Sequence, residues 1–245
     1  MKKIVLGLLL VVTTISFAQE KVLLRLNYKK GDSYSTKTKL SQVMGAGLMT
    51  NNMDIHMDYS ITNVTGEVYE SEAKFVKYVM DMSQGGMQVS YDSTKSEEEL
   101  DAAGKMMKTQ MDPMLKSTLF IKGDKLGNII ETKAEPTFQG VENFTEQSSG
   151  VKYPKEAVSV GYSWNVSKDK DGMNFNFTYK VKEITAKNVV LDVSGKVSGI
   201  AEGDIKGEVN IDRESGLSSK SSISMAMKIQ GQDLTTNVEI TQVKN

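Results

Sequence analysis

Beyond residue 20 the chain alternates apolar and polar positions, and strands can be read from that period of two. Met53, Ile55, Met57, Tyr59 and Ile61 share one parity; Asp54, His56, Asp58, Ser60 and Thr62 hold the other. Alternation this regular predicts an antiparallel strand with one face on a core and the other in water. Val22 to Asn27 reads as a first short strand. Tyr34, Thr36, Thr38 and Leu40 share a face of the next, and Met44 to Asn52 reads as a hairpin tip. From Glu67 to Met82 the phase changes. Tyr69, Ala73 and Phe75 sit on one parity, Val76, Tyr78, Met80 and Met82 on the other. A slip of one residue turns side chains to the opposite face, so the switch predicts a bulge or bend near Phe75. Met87, Val89 and Tyr91 follow a Gly85-Gly86 turn.

One segment changes period. Ser96-Glu-Glu-Glu99 has the pattern of a capping box, with acids where a helix dipole favours them. Leu100, Ala103, Met107, Met111 and Met114 then fall on one helical stripe. Pro113 is expected to break or restart the helix. After it, Leu119 to Ile121 and Asn128 to Glu131 read as a short hairpin, and a short helix is expected near Val141 to Phe144.

The later part repeats this grammar. Tyr162, Trp164 and Val166 alternate, as do Phe175, Phe177, Tyr179 and Val181. Val189, Leu191 and Val193 follow, then Ile205, Val209 and Ile211, then Ile223 to Ile229, then Leu234 to Ile240. Gly31-Asp-Ser-Tyr34 and Gly161-Tyr-Ser-Trp164 each open a long hairpin. Tyr59-Ser-Ile-Thr-Asn-Val-Thr65 parallels Tyr179-Lys-Val-Lys-Glu-Ile-Thr185, with Val64 and Ile184 both out of phase. A shared break in phase points to an internal duplication.

The expectation is a mainly β protein: a large curved antiparallel sheet of roughly a dozen strands, open or half-barrel. The helical segment packs on its concave face. One continuous domain would comprise a first β half with the helical insertion, residues 19–150, and a second β half, residues 151–245.

Residues 1–18 stand apart. Lys2 and Lys3 precede an apolar run from Ile4 to Phe17, and Ser16-Phe17-Ala18 has the form of a cleavage site. This reads as a signal peptide cleaved after Ala18, which sends the chain to the periplasm or the extracellular space. No second hydrophobic run predicts a transmembrane segment. There is no cysteine, which removes disulfides and thiolate metal or redox sites. Without Lys2 and Lys3, Lys+Arg falls from 30 to 28 against 31 Asp+Glu, about −3. No basic block remains to meet a nucleic acid.

Candidate chemistry is sparse. His56, the single histidine, shares an outward parity with Asp54 and Asp58, which reads as a solvated face rather than a zinc site. No Gly-x-Ser-x-Gly elbow, phosphate loop or dinucleotide fingerprint is present. The expectation is therefore a protein without catalytic residues, bound metal or cofactor. The 15 methionines are the conspicuous feature. Thioethers fill irregular cores, line adaptable apolar cavities, or ligate Cu(I). Here they follow the apolar parities, which argues for interior positions. Met57, Tyr59, Leu100, Met107, Met111, Met114, Phe177, Met225 and Met227 are the candidate lining of an apolar cavity between sheet and helix.

Three stretches carry a resemblance: Gly31-Asp-Ser-Tyr34, Tyr153-Pro154 through Trp164, and Ile211-Asp-Arg-Glu-Ser-Gly216-Leu217. In them the chain resembles a family of exported bacterial proteins of unknown function, which carry a similar Pro…Val-x-Val-Gly-x-Ser-Trp block and a late turn with Asp and Gly. More loosely, the layout is similar to the periplasmic lipoprotein-carrier fold, where a curved sheet wraps helices and holds acyl chains. That likeness implies a binding protein for a lipid chain or another apolar small molecule. The alternative is a structural or assembly component of the envelope, with a solid core and a protein partner. The helical segment, marginal by itself, is expected to act as a lid.

Overall fold

The computed structural model describes residues 20–141 and 150–245. The expected signal peptide and residues 142–144 of the short expected helix lie outside the described residues. The first part of the chain forms β1 (Ser33–Met44), β2 (Met49–Thr65), β3 (Val68–Gln84) and β4 (Met87–Asp92), then helix α1 (Ala102–Leu115), then β5 (Thr118–Asp124) and β6 (Ile129–Glu135). The second part forms β7 (Ser163–Lys170), β8 (Met173–Ile184), β9 (Asn188–Gly199), β10 (Ala201–Asp212), β11 (Ser218–Ile229) and β12 (Gln232–Lys244).

All twelve strands join one antiparallel sheet in the order β6-β5-β3-β2-β1-β12-β11-β10-β9-β8-β7, with β4 beside the far half of β3. The last strand pairs with the first. The sheet does not close into a barrel; the two ends of its strand order, β6 and β7, are consecutive strands in the chain, and among the described residues β4 pairs only with β3. Among the described residues no helix is long and apolar enough to cross a membrane.

The phase change in β3 is a bulge. His56 faces Lys77 and Met57 faces Phe75, so Val76 is left over and stands 56% exposed. Bulges raise local twist and bend a strand. In the second half, glycines allow close approach. Gly195, Gly203 and Gly207 share the parity of Val193, Val197 and Ile205. A Cβ there would stand 2.2–2.3 Å from a carbonyl oxygen of the neighbouring strand. Glycine at such positions lets a sheet coil tightly.

The two halves repeat each other in hydrogen-bond detail. Gly31 N–H donates to Ile61 O and Gly161 N–H to Val181 O, at 2.9 and 2.8 Å. In return Ile61 N–H donates to Asp32 O, and Val181 N–H to Tyr162 O. Both glycines need positive φ, +91° and +86°. One residue further on, each long strand skips a residue, Thr62 in β2 and Lys182 in β8, before Val64 meets Tyr69 and Ile184 meets Val189. The equivalence continues into two Asp-to-Gly turns. Lys125 N–H donates to Glu67 O in the first copy, and Arg213 N–H to Lys187 O in the second.

Val22 to Asn27 is not a strand of the sheet, as its alternation suggests. It is an extended segment laid across one end of the inner face, and its one ladder-type pairing among the described residues is a bridge from Val22 to Val158. Adjacent N–H groups of an extended chain point opposite ways. Leu26 N–H therefore reaches Lys125 O in the first copy, and Asn27 N–H reaches Ser215 O in the second. The segment staples the two equivalent turns together. Residues 151–158 lie beside it: Tyr153 N–H donates to Leu126 O, and the Arg25 guanidinium to the carbonyls of Pro154 and Lys155. The largest buried cluster forms around these segments, with Leu24, Leu26, Tyr153 and Val158 against Tyr34, Ile61, Val181 and Ile211.

The helical segment differs from its expected form. The capping box at Ser96 and Glu99 is made, but it opens only a single 3-10 turn, and Leu100 is extended. Asp101 then caps α1 by accepting from Gly104 N–H at 2.7 Å. Pro113 does not end the helix, which runs on to Leu115. Pro113 lacks the N–H that would bond Thr109 O, yet the turn continues; nearby, the Thr109 hydroxyl donates to Lys105 O and the Ser117 hydroxyl to Pro113 O.

Candidate functional site

Register places the candidate strand residues on one face of the sheet, and packing divides all the candidates among separate clusters. Met57 is buried with Ala73, Leu119 and Ile121, and Tyr59 packs against this group and the large core. Leu100, Met107, Met111 and Met114 pack with Tyr78, Met80 and Tyr91, so α1 covers the inner face of β2, β3 and β4. Phe177, Met225 and Met227 belong to a fourth group with Val197, Ala201 and Ile205.

Between the helix-covered group and the fourth group lies an apolar strip that sequence reasoning did not single out. Leu40, Val238 and Ile240 are half-buried and belong to none of the four clusters. Leu40 faces Met53 on one side and Val238 on the other, and Val238 in turn faces Ile223. One row nearer the β1–β2 tip the apolar surface is interrupted. Thr236, Gln42 and Asn51 stand side by side on β12, β1 and β2. Gln42 Nε2 donates to Thr236 Oγ1 at 3.4 Å, and Asn51 Nδ2 to Gln42 Oε1 at 3.3 Å. Alternation from Tyr34 carries through Gln42 to Met44, a signal that could have found this row. Asn51 was expected in the hairpin tip, whereas β2 already begins at Met49.

At the end crossed by the N-terminal segment the inner face is rich in tyrosine. Tyr28 packs edge-on against Tyr34 and Tyr69, with ring centroids 5.5 and 4.7 Å apart. Trp164 stacks on Tyr179 at 5.4 Å, and its indole N–H donates to Lys152 O. Burial pushes the Tyr59 and Tyr179 hydroxyls up to about 12, so both are neutral donors at any ordinary pH.

The outer face is polar. His56 Nε2 lies 3.1 Å from Asp54 Oδ1, and Lys77 Nζ is 3.1 Å from Asp54 Oδ2. Burial opposes ionisation of Asp54, but the hydrogen bond from Lys77 and the adjacent His56 hold its carboxyl below the ordinary value. Asp58 accepts from the Ser35 hydroxyl instead of joining them. Among the described residues no group of three or more His, Asp or Glu is placed to hold a metal ion. A depression of 360 Å³ on this face is lined by Leu40, Met53 and Val79 and rimmed by Lys39, Asp54, Asp81 and Glu239. It is shallow, with charged groups around its rim.

The stretches that carried the resemblance meet at the end crossed by the N-terminal segment. Gly31 to Tyr34, Tyr153 to Trp164 and Ile211 to Leu217 all contribute to the large core, so the motif is a structural closure. No curated protein matches the chain. A family of unknown function (DUF6263) matches residues 139–242, which takes in the described parts of the 139–162 connection and β7 through most of β12, less than half of the 245-residue chain.

Proposed function

We propose that the protein is an exported, non-catalytic binder of an apolar ligand such as a lipid chain, held on the inner face of the sheet beside α1. The observation that carries this reading is the strip Leu40, Val238 and Ile240. It is apolar, lies on the face that elsewhere buries the core, and is left half-buried between two packed groups. Apolar surface that a fold leaves partly uncovered is a place where a ligand can bind. Methionines flank it on both sides, Met53 and Met107 toward the helix and Met225 toward β11, and thioethers adapt to varied chains. The periplasm, where lipid chains must be shielded from water, suits this role.

The alternative of an envelope scaffold built by strand addition finds less support. The end strand β6 carries Glu131, Lys133 and Glu135, with Pro136 after it, and the other end strand, β7, carries Lys168, Asp169 and Lys170 over its last three residues. Charge and proline on an edge oppose pairing with another chain.

Native mass spectrometry of protein purified from a Gram-negative envelope tests the proposal, together with uptake of an environment-sensitive naphthylamine dye. A co-purifying lipid, and dye uptake abolished by Val238→Lys in a protein that keeps its β spectrum, are the expected results. Neither lipid nor dye uptake by the wild type would overturn it.

A further inference from the structure

The inner face is not uniformly apolar: Thr36, Thr38 and Ser221 also stand on it, with Thr36 Oγ1 likewise buried without a partner, and one polar row among them has a direction. The row that crosses the sheet through Phe177, Gly195, Ile205, Met225, Thr236, Gln42, Asn51 and Met82 is continuous in register. Three neighbours in its middle are polar. Each amide hands a hydrogen bond to the next, Asn51 to Gln42 and Gln42 to Thr236. The chain of donors ends at Asn51, and the Asn51 Oδ1 acceptor is shut off from water without a partner. An acceptor buried in this way is costly unless something donates to it. Strand positions facing an apolar interior are ordinarily filled by apolar residues, and isolated polar groups there call for a reason.

The charge of the surroundings narrows what could donate. The row holding Asn51 contains no ionised side chain. Neither does the adjacent row, which runs through Tyr179, Val193, Ile223, Val238, Leu40 and Met53. The Tyr179 hydroxyl stays protonated, since burial pushes it up to about 12. A carboxylate or phosphate head would therefore lie against an apolar wall with no counterion, and would meet the oxygen end of Asn51. An uncharged head with an O–H or N–H fits both features.

We infer that the inner face selects an uncharged amphiphile, whose chain lies along Leu40 and Val238 and whose hydroxyl or amide N–H donates to Asn51 Oδ1. This rests on the apolar-ligand reading and adds the chemistry of the head group. Thr236 and Gln42 are positioning residues, which fix the Asn51 amide with its oxygen free.

Displacement of the naphthylamine dye by three probes of one chain length is the test: monoolein, methyl oleate and oleate. Monoolein offers hydroxyl donors, methyl oleate only acceptors, and oleate a charge. Monoolein is expected to displace the dye about tenfold better than either of the others, the scale of one buried hydrogen bond. Asn51→Leu should bring monoolein level with methyl oleate while methyl oleate itself is unchanged. Equal displacement by all three from the wild type overturns this inference and leaves the apolar-ligand function standing, and that comparison needs no variant to fold. If the dye binds and oleate wins, the head-group assignment is also overturned. Failure to take up the dye at all removes the function and the inference together.

Discussion

The Tyr153 hydroxyl donates to the Gly216 carbonyl oxygen at 2.6 Å, across 63 residues of chain. It links the connection that leads into the second half with the Asp-to-Gly turn between β10 and β11. The same turn receives the N-terminal segment, since Asn27 N–H donates to Ser215 O. An open sheet whose halves meet along the β1–β12 pair depends on such cross-ties to hold its inner face in shape.

Tyr153→Phe removes that donor and leaves the Gly216 carbonyl buried without its partner. The expected cost is about 1–3 kcal/mol, the usual penalty for an orphaned buried polar group. Thermal unfolding measures it, at about 2–4 °C for each kcal/mol in a chain of this size. A midpoint equal to the wild type would show that water serves the carbonyl as well.

Gly216 and Gly31 both have positive φ, +71° and +91°, yet their surroundings differ. A Cβ on Gly216 would stand 1.7 Å from the Arg25 carbonyl oxygen, whereas one on Gly31 meets nothing within 4 Å. Gly31→Ala should cost only the left-handed backbone strain, about 1–2 kcal/mol. Gly216→Ala should cost clearly more and release the N-terminal segment, which limited proteolysis around residues 20–28 will detect. Equal losses of stability with an intact segment would contradict the stapling role.

How much of this was legible in the sequence depends on the range of the interaction. The strands, the bulge beside Phe75 and the paired hairpins follow from local period, because each strand writes its own inside and outside. The N-terminal segment misled for the same reason: Val22, Leu24 and Leu26 alternate like a strand, but their burial comes from lying across the sheet's end. Pro113 was expected to break the helix, a local rule overridden by packing of Met111 and Met114 on either side of it. Alternation from Tyr34 through Met44 marks Gln42 as inward, but the Thr236–Gln42–Asn51 row as a unit exists only once β12 and β2 are placed beside β1. Gly104, a local liability in a helix, is a contact residue. A Cβ there would come within 3.2 Å of Ser90 O on β4.

Asp32 makes the junction of β1 with β12 sensitive to acid. Burial disfavours its charge, but Lys244 Nζ at 2.5 Å, the Lys29 N–H and the Tyr34 hydroxyl outweigh this and hold the carboxyl below its ordinary value of 3.8. A carboxyl lowered by folding stabilises the fold above its unfolded value, and the benefit is lost as pH falls through the folded one. The stability gap between wild type and Asp32→Asn should thus be full at neutral pH and shrink below 3.8. Urea midpoints of the two proteins along a pH series measure the gap. A gap that does not change with pH would mean that Asp32 acts by shape and not by charge.

The last prediction concerns α1, which the second half lacks. The helix has 14 residues, close to the limit below which a helix in water is marginal, so its persistence rests on packing. That packing is one-sided: Met107, Met111 and Met114 sit on Tyr78, Met80 and Tyr91, while Met106 is 58% exposed. By contrast, β2 is paired along its length with β1 and β3, and β8 with β7 and β9. The helix can therefore lift from the inner face without breaking a strand ladder, whereas the strands open only by undoing the sheet. Lifting would bare Met53 and Met80, which continue the row of Leu40 and Val238 and so lengthen the proposed binding strip. Hydrogen exchange should show Ser96 to Leu115 exchanging well before Met53–Ile61 and Phe175–Val181. Monoolein should slow the helical segment and leave the strands as they were. Protection of the helix equal to that of the strands without ligand would make it part of the permanent core.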